Sequence, residues 1–263
     1  MNPGLPRLVG MVHLLPLPGS PRFGGSIDEV VGTAVDDARV LTEAGFPALL
    51  VENYGDAPFH ADSVPPETVA ALTVSATAVA ERRVPFGVNV LRNDAISAVA
   101  IAAATGAAFI RVNVLTGLMY TDQGPIVGRA GEVQRSRARL CPHVEVWADV
   151  MVKHAIPPAG LDARQVVADT VERGLADAIV VSGSGTGAEP DPEMGRQIKE
   201  ATPAGTRVVV GSGATADNLD SLLGFADTLI VGSSIKVEGD PANRPDPLRC
   251  KAFVEKAAKR GLV

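Results

Sequence analysis

Thr206-Arg-Val-Val-Val-Gly-Ser-Gly213 is followed, after a short leucine-containing segment, by Ala226-Asp-Thr-Leu-Ile-Val-Gly-Ser-Ser234. Each is a run of strand-forming residues closed by a glycine turn, and the segment between them suits a helix. Working outward, the same unit recurs as Asp177-Ala-Ile-Val-Val-Ser-Gly183, Val144-Glu-Val-Trp-Ala-Asp-Val150, Ala108-Phe-Ile-Arg-Val-Asn-Val114, Phe86-Gly-Val-Asn-Val90, Pro47-Ala-Leu-Leu-Val-Glu-Asn53 and Leu8-Val-Gly-Met-Val-His13. Between the runs, residues 27–43, 66–81, 94–104, 131–140, 161–173, 191–200, 215–222 and 246–259 carry the Ala, Glu, Arg and Leu content of helices, with Ser26, Asn93 and Asp191 as capping residues. Eight strand–helix units in 263 residues is the size of a closed (β/α)8 TIM barrel, one domain spanning 1–263. A doubly wound open sheet is the competing topology, but its edge strands need a polar face that these runs lack.

Composition narrows the function classes. Hydrophobic residues make up 46 % of the chain, charged residues 21 % and aromatics 4 %, so the core is aliphatic. The 24 basic and 30 acidic side chains leave a net charge of −6, which argues against a nucleic-acid partner. Cys141 and Cys250 make no disulfide framework or zinc motif, so a reducing, cytoplasmic setting is expected. Prolines 3, 6, 16 and 18 break up any secretory segment, and the apolar stretch 95–108 is too short to span a bilayer.

Alternate strand residues point into a barrel, and the carboxyl strand ends carry its active site. In the fourth run Arg111 and Asn113 alternate with Ile110, Val112 and Val114; in the fifth, Glu145, Trp147 and Asp149 alternate with Val144, Val146 and Ala148. Buried ionisable groups are costly unless paired or used in chemistry. His13, Glu52, Asn89, Arg111, Asn113 and Asp149 are therefore expected to converge on one pocket. His13, Glu52 and Asp149 are candidate proton-transfer residues, and Asn89, Arg111, Asn113 and Asp122 candidate substrate contacts. Substituting Asp149→Asn or Glu52→Gln should then abolish function with stability near unchanged. The competing reading makes Arg111 a structural ion-pair partner of Glu145 or Asp149. Glu145, at the start of its run, belongs to the opposite, stabilising face.

The turns after the last three runs, Ser182-Gly-Ser-Gly-Thr-Gly187, Gly211-Ser-Gly213 and Gly232-Ser-Ser234, let backbone N–H groups approach an anion. Ser182, Gly183, Gly185, Gly211, Ser212, Gly213, Gly232 and Ser233 are the expected phosphate contacts, since barrels commonly hold phosphate after strands seven and eight. Lys153, just past the fifth run, is a candidate chemical lysine; Lys236 is expected to bind phosphate or lie at the surface. His13, Glu52 and Asp149 are the set that could coordinate a divalent metal, but no close ligand spacing supports one, and no cofactor is expected. Two segments, 14–21 and 115–130, are long enough to act as lid loops. Arg135, Arg137 and Arg139 read as a solvated helix face.

Gly10-Met-Val-His-Leu-Leu-Pro-Leu-Pro-Gly-Ser-Pro21, Val51-Glu-Asn-Tyr-Gly-Asp-Ala-Pro-Phe59, Gly87-Val-Asn-Val-Leu-Arg-Asn-Asp94, Arg111-Val-Asn113, Thr121-Asp-Gln-Gly124, Lys153-His154 and the 182–187 turn together resemble the BtpA family, which includes SgcQ-type proteins. The resemblance runs nearly end to end. It implies a barrel related to phosphate-binding barrels and a family name tied to photosystem I assembly or stability, with no agreed catalytic residues to carry over. Two functions follow as expectations. One is an enzyme acting on a phosphorylated small molecule, such as a sugar or nucleoside phosphate, by lyase, isomerase or glycosyl-bond chemistry. The other is an assembly factor for a membrane complex, the only case in which peripheral membrane association is expected. A regulatory binder using the same phosphate site without turnover is a third reading. Homo-oligomer formation is left open.

Overall fold

The computed structural model describes residues 6–151, 154–183, 185 and 187–263. Eight strands, β1 (Leu8–His13), β2 (Leu49–Glu52), β3 (Phe86–Asn89), β4 (Phe109–Val112), β5 (Glu145–Asp149), β6 (Ala178–Val181), β7 (Arg207–Val210) and β8 (Thr228–Val231), pair in parallel and in chain order, and β8 returns to β1 to close the barrel. Helices α1 (Ile27–Ala44), α2 (Pro66–Ala80), α3 (Ala95–Thr105), α4 (Ala130–Leu140), α5 (Ala163–Ala168), α6 (Pro192–Ala201), α7 (Leu219–Leu223) and α8 (Pro247–Ala258) follow the strands.

The helix starts show how local chemistry punctuates the chain. Ser26 accepts from Glu29 N, and Asp191 from Glu193 N, as expected of caps. The cap of α3 is Asp94, which accepts from Ser97 N, and not Asn93, whose side chain is engaged across the barrel wall. Two helices are shorter than their sequence patterns: α5 passes into a wider π turn at Asp169–Arg173, and α7 keeps one turn and a little more.

Two cores result. Val12, Leu49, Val51, Ile110 and Val146 face outward onto the helices, while Val9, Met11, Leu50, Phe109, Trp147, Val180 and Ile230 fill the lumen. Each such aliphatic side chain contributes roughly 1.5–3 kcal/mol on burial. Phe109 stacks on Trp147 with ring centroids 3.9 Å apart, and its ring lies over Gly87, where a Cβ would come within 2.3 Å of it. At the amino end of the barrel Glu145 accepts from Trp147 Nε1 at 2.8 Å and pairs with Arg207. Glu145 thus sits on the stabilising face, as its position in the run suggested.

Segment 115–130, expected as a lid loop, forms instead two antiparallel strands, Leu118–Thr121 and Gly124–Val127, which continue to a third, Ala155–Ile156. Four-residue strands, one of them containing Pro125, give too little alternation to be seen in the sequence. No helix among the described residues is long and apolar enough to cross a membrane, and both cysteines are buried thiols.

Candidate functional site

Strand register places the polar residues. His13 lies opposite Glu52, Glu52 opposite Asn89, and Asn89 opposite Arg111, so four consecutive strands present polar side chains at one level above the apolar lumen. Asn89 Nδ2 donates to Glu52 Oε2 at 2.7 Å, and His13 Nε2 stands 3.8 Å from Glu52 Oε1. His13 stacks on Tyr54, 4.4 Å between centroids, and its Nδ1 lies 2.9 Å from Pro241 O. A carbonyl only accepts, so Nδ1 carries a hydrogen, and the ring presents its other nitrogen, Nε2, to the Glu52 carboxylate.

Asp149 is held differently. Arg111 donates Nε to Asp149 Oδ1 and Nη2 to Oδ2, both at 2.8 Å, and Asn113 Nδ2 adds a third donor at 3.2 Å. The Asp149 side chain has no exposed surface. The ion pair weighed from the sequence is therefore present, with Asp149 and not Glu145 as its acid. Burial works against the Arg111 charge, but the charge and hydrogen bonds of Asp149 outweigh it and hold the guanidinium above its ordinary pKa. Arg111 also reaches Gly211 O and Ser182 Oγ, both at 3.3 Å. Gly211 has to be glycine for this: a Cβ there would lie 2.7 Å from Arg111 Nη2 and 2.5 Å from Val180.

Beside Arg111, His13 and Glu52, the turns after β7 and β8 enclose a small cup of about 40 Å³ lined by Gly187, Gly211, Ser212, Gly213, Ala214, Thr215, Gly232, Ser233 and Ser234. Ser234 Oγ donates to Ala214 O at 2.6 Å, tying the two turns together, and Asn218 holds Thr215 N and Gly213 O. Within the described residues the N–H groups of Ser212, Gly213 and Ala214 make no hydrogen bond and the buried Ser212 hydroxyl has no partner. Unsatisfied donors at a polar concavity are what an oxyanion requires. Of the expected phosphate contacts, Gly211, Ser212, Gly213, Gly232 and Ser233 meet here. Ser182 turns its hydroxyl to Arg111, Gly183 packs against the Ala188 and Glu189 backbone, and Gly185 lines the adjoining space.

That adjoining space is a cavity of about 1000 Å³ over the barrel mouth, sharing His13, Glu52 and Arg111 with the cup. Leu14, Leu15 and Pro16 of the first expected lid wall it, as do Tyr54, Arg92, Asn113, Asp122, Gln123, His154 and Pro241. Lys153 lies outside the described residues. Lys236 is neither at the surface nor in the cup: it is 1 % exposed and donates to Pro241 O at 2.9 Å. Burial lowers its pKa to about 8, against the pull of Asp37 and Glu52. Among the described residues no three His, Cys, Asp or Glu side chains form a metal cluster, and the Asp149 oxygens of the trio considered for one are taken by Arg111 and Asn113.

Several contributors were not singled out from the sequence. Arg92 is buried at the cavity wall, where burial lowers its pKa against the pull of Asp149 and Glu52. Asn53 Oδ1 accepts from Leu91 N, Asn93 Oδ1 accepts from Val114 N, and Asp56 holds Leu17 N and Asn53 Nδ2. These side chains continue the barrel's hydrogen-bonded wall past the strand ends, where backbone pairing stops. All except Asn93 and Arg92 lie in the block 51–59, so a dense run of polar residues after a strand was the available signal.

The BtpA family model matches residues 6–259. The chain belongs to the BtpA family. Its relatives include the photosystem I biogenesis protein BtpA of Synechocystis, 47 % identical over 96 % of this chain and 88 % of the relative, and a protein of Thermococcus kodakarensis, 49 % identical over 95 % and 94 %. The BtpA-family barrel is also similar in fold to thiamine phosphate pyrophosphorylase from Pyrococcus furiosus, with a TM-score of 0.59, 14 % identity and 96 % of each chain covered.

Proposed function

We propose that this BtpA-family chain is an enzyme acting on a small phosphorylated metabolite, a sugar or nucleoside phosphate, with its phosphate in the cup after β7 and β8. The observation that carries this reading is the Ser212 hydroxyl beside three N–H groups, all without a partner among the described residues, in a cup whose wall includes His13 and Glu52. A phosphate there would receive backbone and hydroxyl donors, and the ester would extend into the larger cavity past Glu52. The similarity in fold to an enzyme named for thiamine phosphate agrees with a phosphorylated ligand.

Lyase, isomerase and glycosyl-bond chemistry all need a proton moved at the reacting carbon or oxygen. Glu52 and His13 are the pair suited to that transfer, because Asn89 orients the carboxylate and Pro241 O holds the imidazole through Nδ1. Asp149, saturated by three donors, serves instead to hold Arg111. Asn89, Arg111, Asn113 and Asp122 line or support the space where the rest of the substrate would lie.

A thermal-unfolding screen that pairs each phosphate ester with its dephosphorylated form tests this, because a ligand of the native state must raise the midpoint. Only the phosphorylated members are expected to do so, and with the substrate found, Glu52→Gln should bind it without turnover. Equal shifts from the dephosphorylated forms would remove the reading. The name of the Synechocystis relative favours a second one, an assembly factor working through the outer surface. In that case changes at exposed Arg135 and Arg139 on α4 abolish function and pocket changes do not.

A further inference from the structure

We infer that the substrate's end remote from the phosphate carries hydroxyl donors, so that the ligand class is a polyol or sugar phosphate and not a phosphate ester ending in a carboxylate or a hydrocarbon. The inference rests on the phosphate cup proposed above. It comes from two side-chain amides on the cavity wall, Asn113 past the end of β4 and Gln123 in the turn of the antiparallel sheet. In the closed barrel β4 stands across from β8; Arg111 of β4 reaches the cup, whereas Asn113, past the end of that strand, lines only the larger cavity.

The oxygen and nitrogen of a side-chain amide are told apart only by their partners. Here the partners decide. Asn113 turns one amide atom to Asp149 Oδ2, and Gln123 turns one to Asp122 Oδ2. An ionised carboxylate only accepts, so both of those atoms are NH2 groups. Asn113 Oδ1 and Gln123 Oε1 are thereby fixed as acceptors, and both are buried without a hydrogen-bond partner among the described residues. An unsatisfied buried acceptor is destabilising, and a ligand donor relieves it. Neither amide can turn over to receive an acceptor without setting its oxygen against a carboxylate. A carboxylate-ended ligand would meet these two oxygens with like partial charge; an alkyl end would leave them unsatisfied. Arg22 and Arg92 also line the cavity and are the groups that would favour a carboxylate, but Arg92 already lies in the field of Asp149, Glu52 and Asp122.

Calorimetric titration of the intact chain with inorganic phosphate, pentyl phosphate, phosphoglycerate and a set of pentose and hexose monophosphates tests the inference. At least one sugar phosphate should bind about tenfold or more tighter than both pentyl phosphate and phosphoglycerate. Gln123→Met and Asn113→Leu should each cut that preference severalfold, and in Gln123→Met inorganic phosphate should bind as before. Gln123 sits in a surface turn, so its variant decides the matter if Asn113→Leu does not fold. Sugar phosphates binding no better than pentyl phosphate, tighter binding of phosphoglycerate, or a preference unchanged in Gln123→Met would each overturn the inference with the phosphate cup intact. If neither inorganic phosphate nor any ester binds, the cup itself fails and this inference falls with it.

Discussion

Arg111 and Asp149 meet through two parallel 2.8 Å hydrogen bonds between neighbouring strands, with side chains 2 % and 0 % exposed. A charge pair this deep is not stabilising in proportion to its contacts, because both ions have lost their water. Removing one partner is another matter, since the other is then stranded. Asp149→Asn, a stability-neutral probe on the sequence reading, should instead lower unfolding free energy by about 3–5 kcal/mol in denaturant titration. An unchanged midpoint would show that Arg111 finds another counter-charge.

Gly211 joins that pair to the phosphate cup. A Cβ at Gly211 meets Val180 and the Arg111 guanidinium at once. Gly211→Ala should cost roughly 1–3 kcal/mol and weaken phosphate binding by displacing the turn, whereas Gly205→Ala, at a position with open space but strained φ, should leave binding alone. Loss of stability without any change in phosphate affinity would separate the turn from the cup.

The parity of Arg111 and Asn113 against Ile110, Val112 and Val114 was legible, because strand alternation depends only on sequence spacing. So were the level of Glu52 and Asn89 and the glycine turns after β7 and β8. The fate of Asp149 was not: whether a carboxylate is a proton carrier or a counter-ion depends on which neighbour's side chain reaches it across the strand gap. Asn53 escaped notice, and Asn93 was read only as a helix cap, because their partners, Leu91 N and Val114 N, are brought close only by barrel closure. Lys236 is misplaced at the phosphate or the surface by its sequence position because its burial depends on the chain turning back at Pro241.

Lys236 gives the fold a pH signature. Its pKa falls from 10.5 to about 8 in the native protein, mainly through burial. Between those values the unfolded chain holds a proton that the folded one has released, so this group's contribution to stability rises with pH and is lost as pH falls through about 8. Relative to Lys236→Met, the wild-type chain should gain on the order of 1–3 kcal/mol from pH 8 to 10. Urea midpoints of the two proteins that run parallel over this range would contradict the assignment.

The phosphate cup is the claim on which the functional account turns, and amide NMR reads it residue by residue. Titrating inorganic phosphate into the labelled chain should shift the Ser212, Gly213 and Ala214 N–H signals together and saturably, with the effect weakened in Ser212→Val. Saturable shifts confined to other parts of the barrel, or none at these three amides, would contradict it.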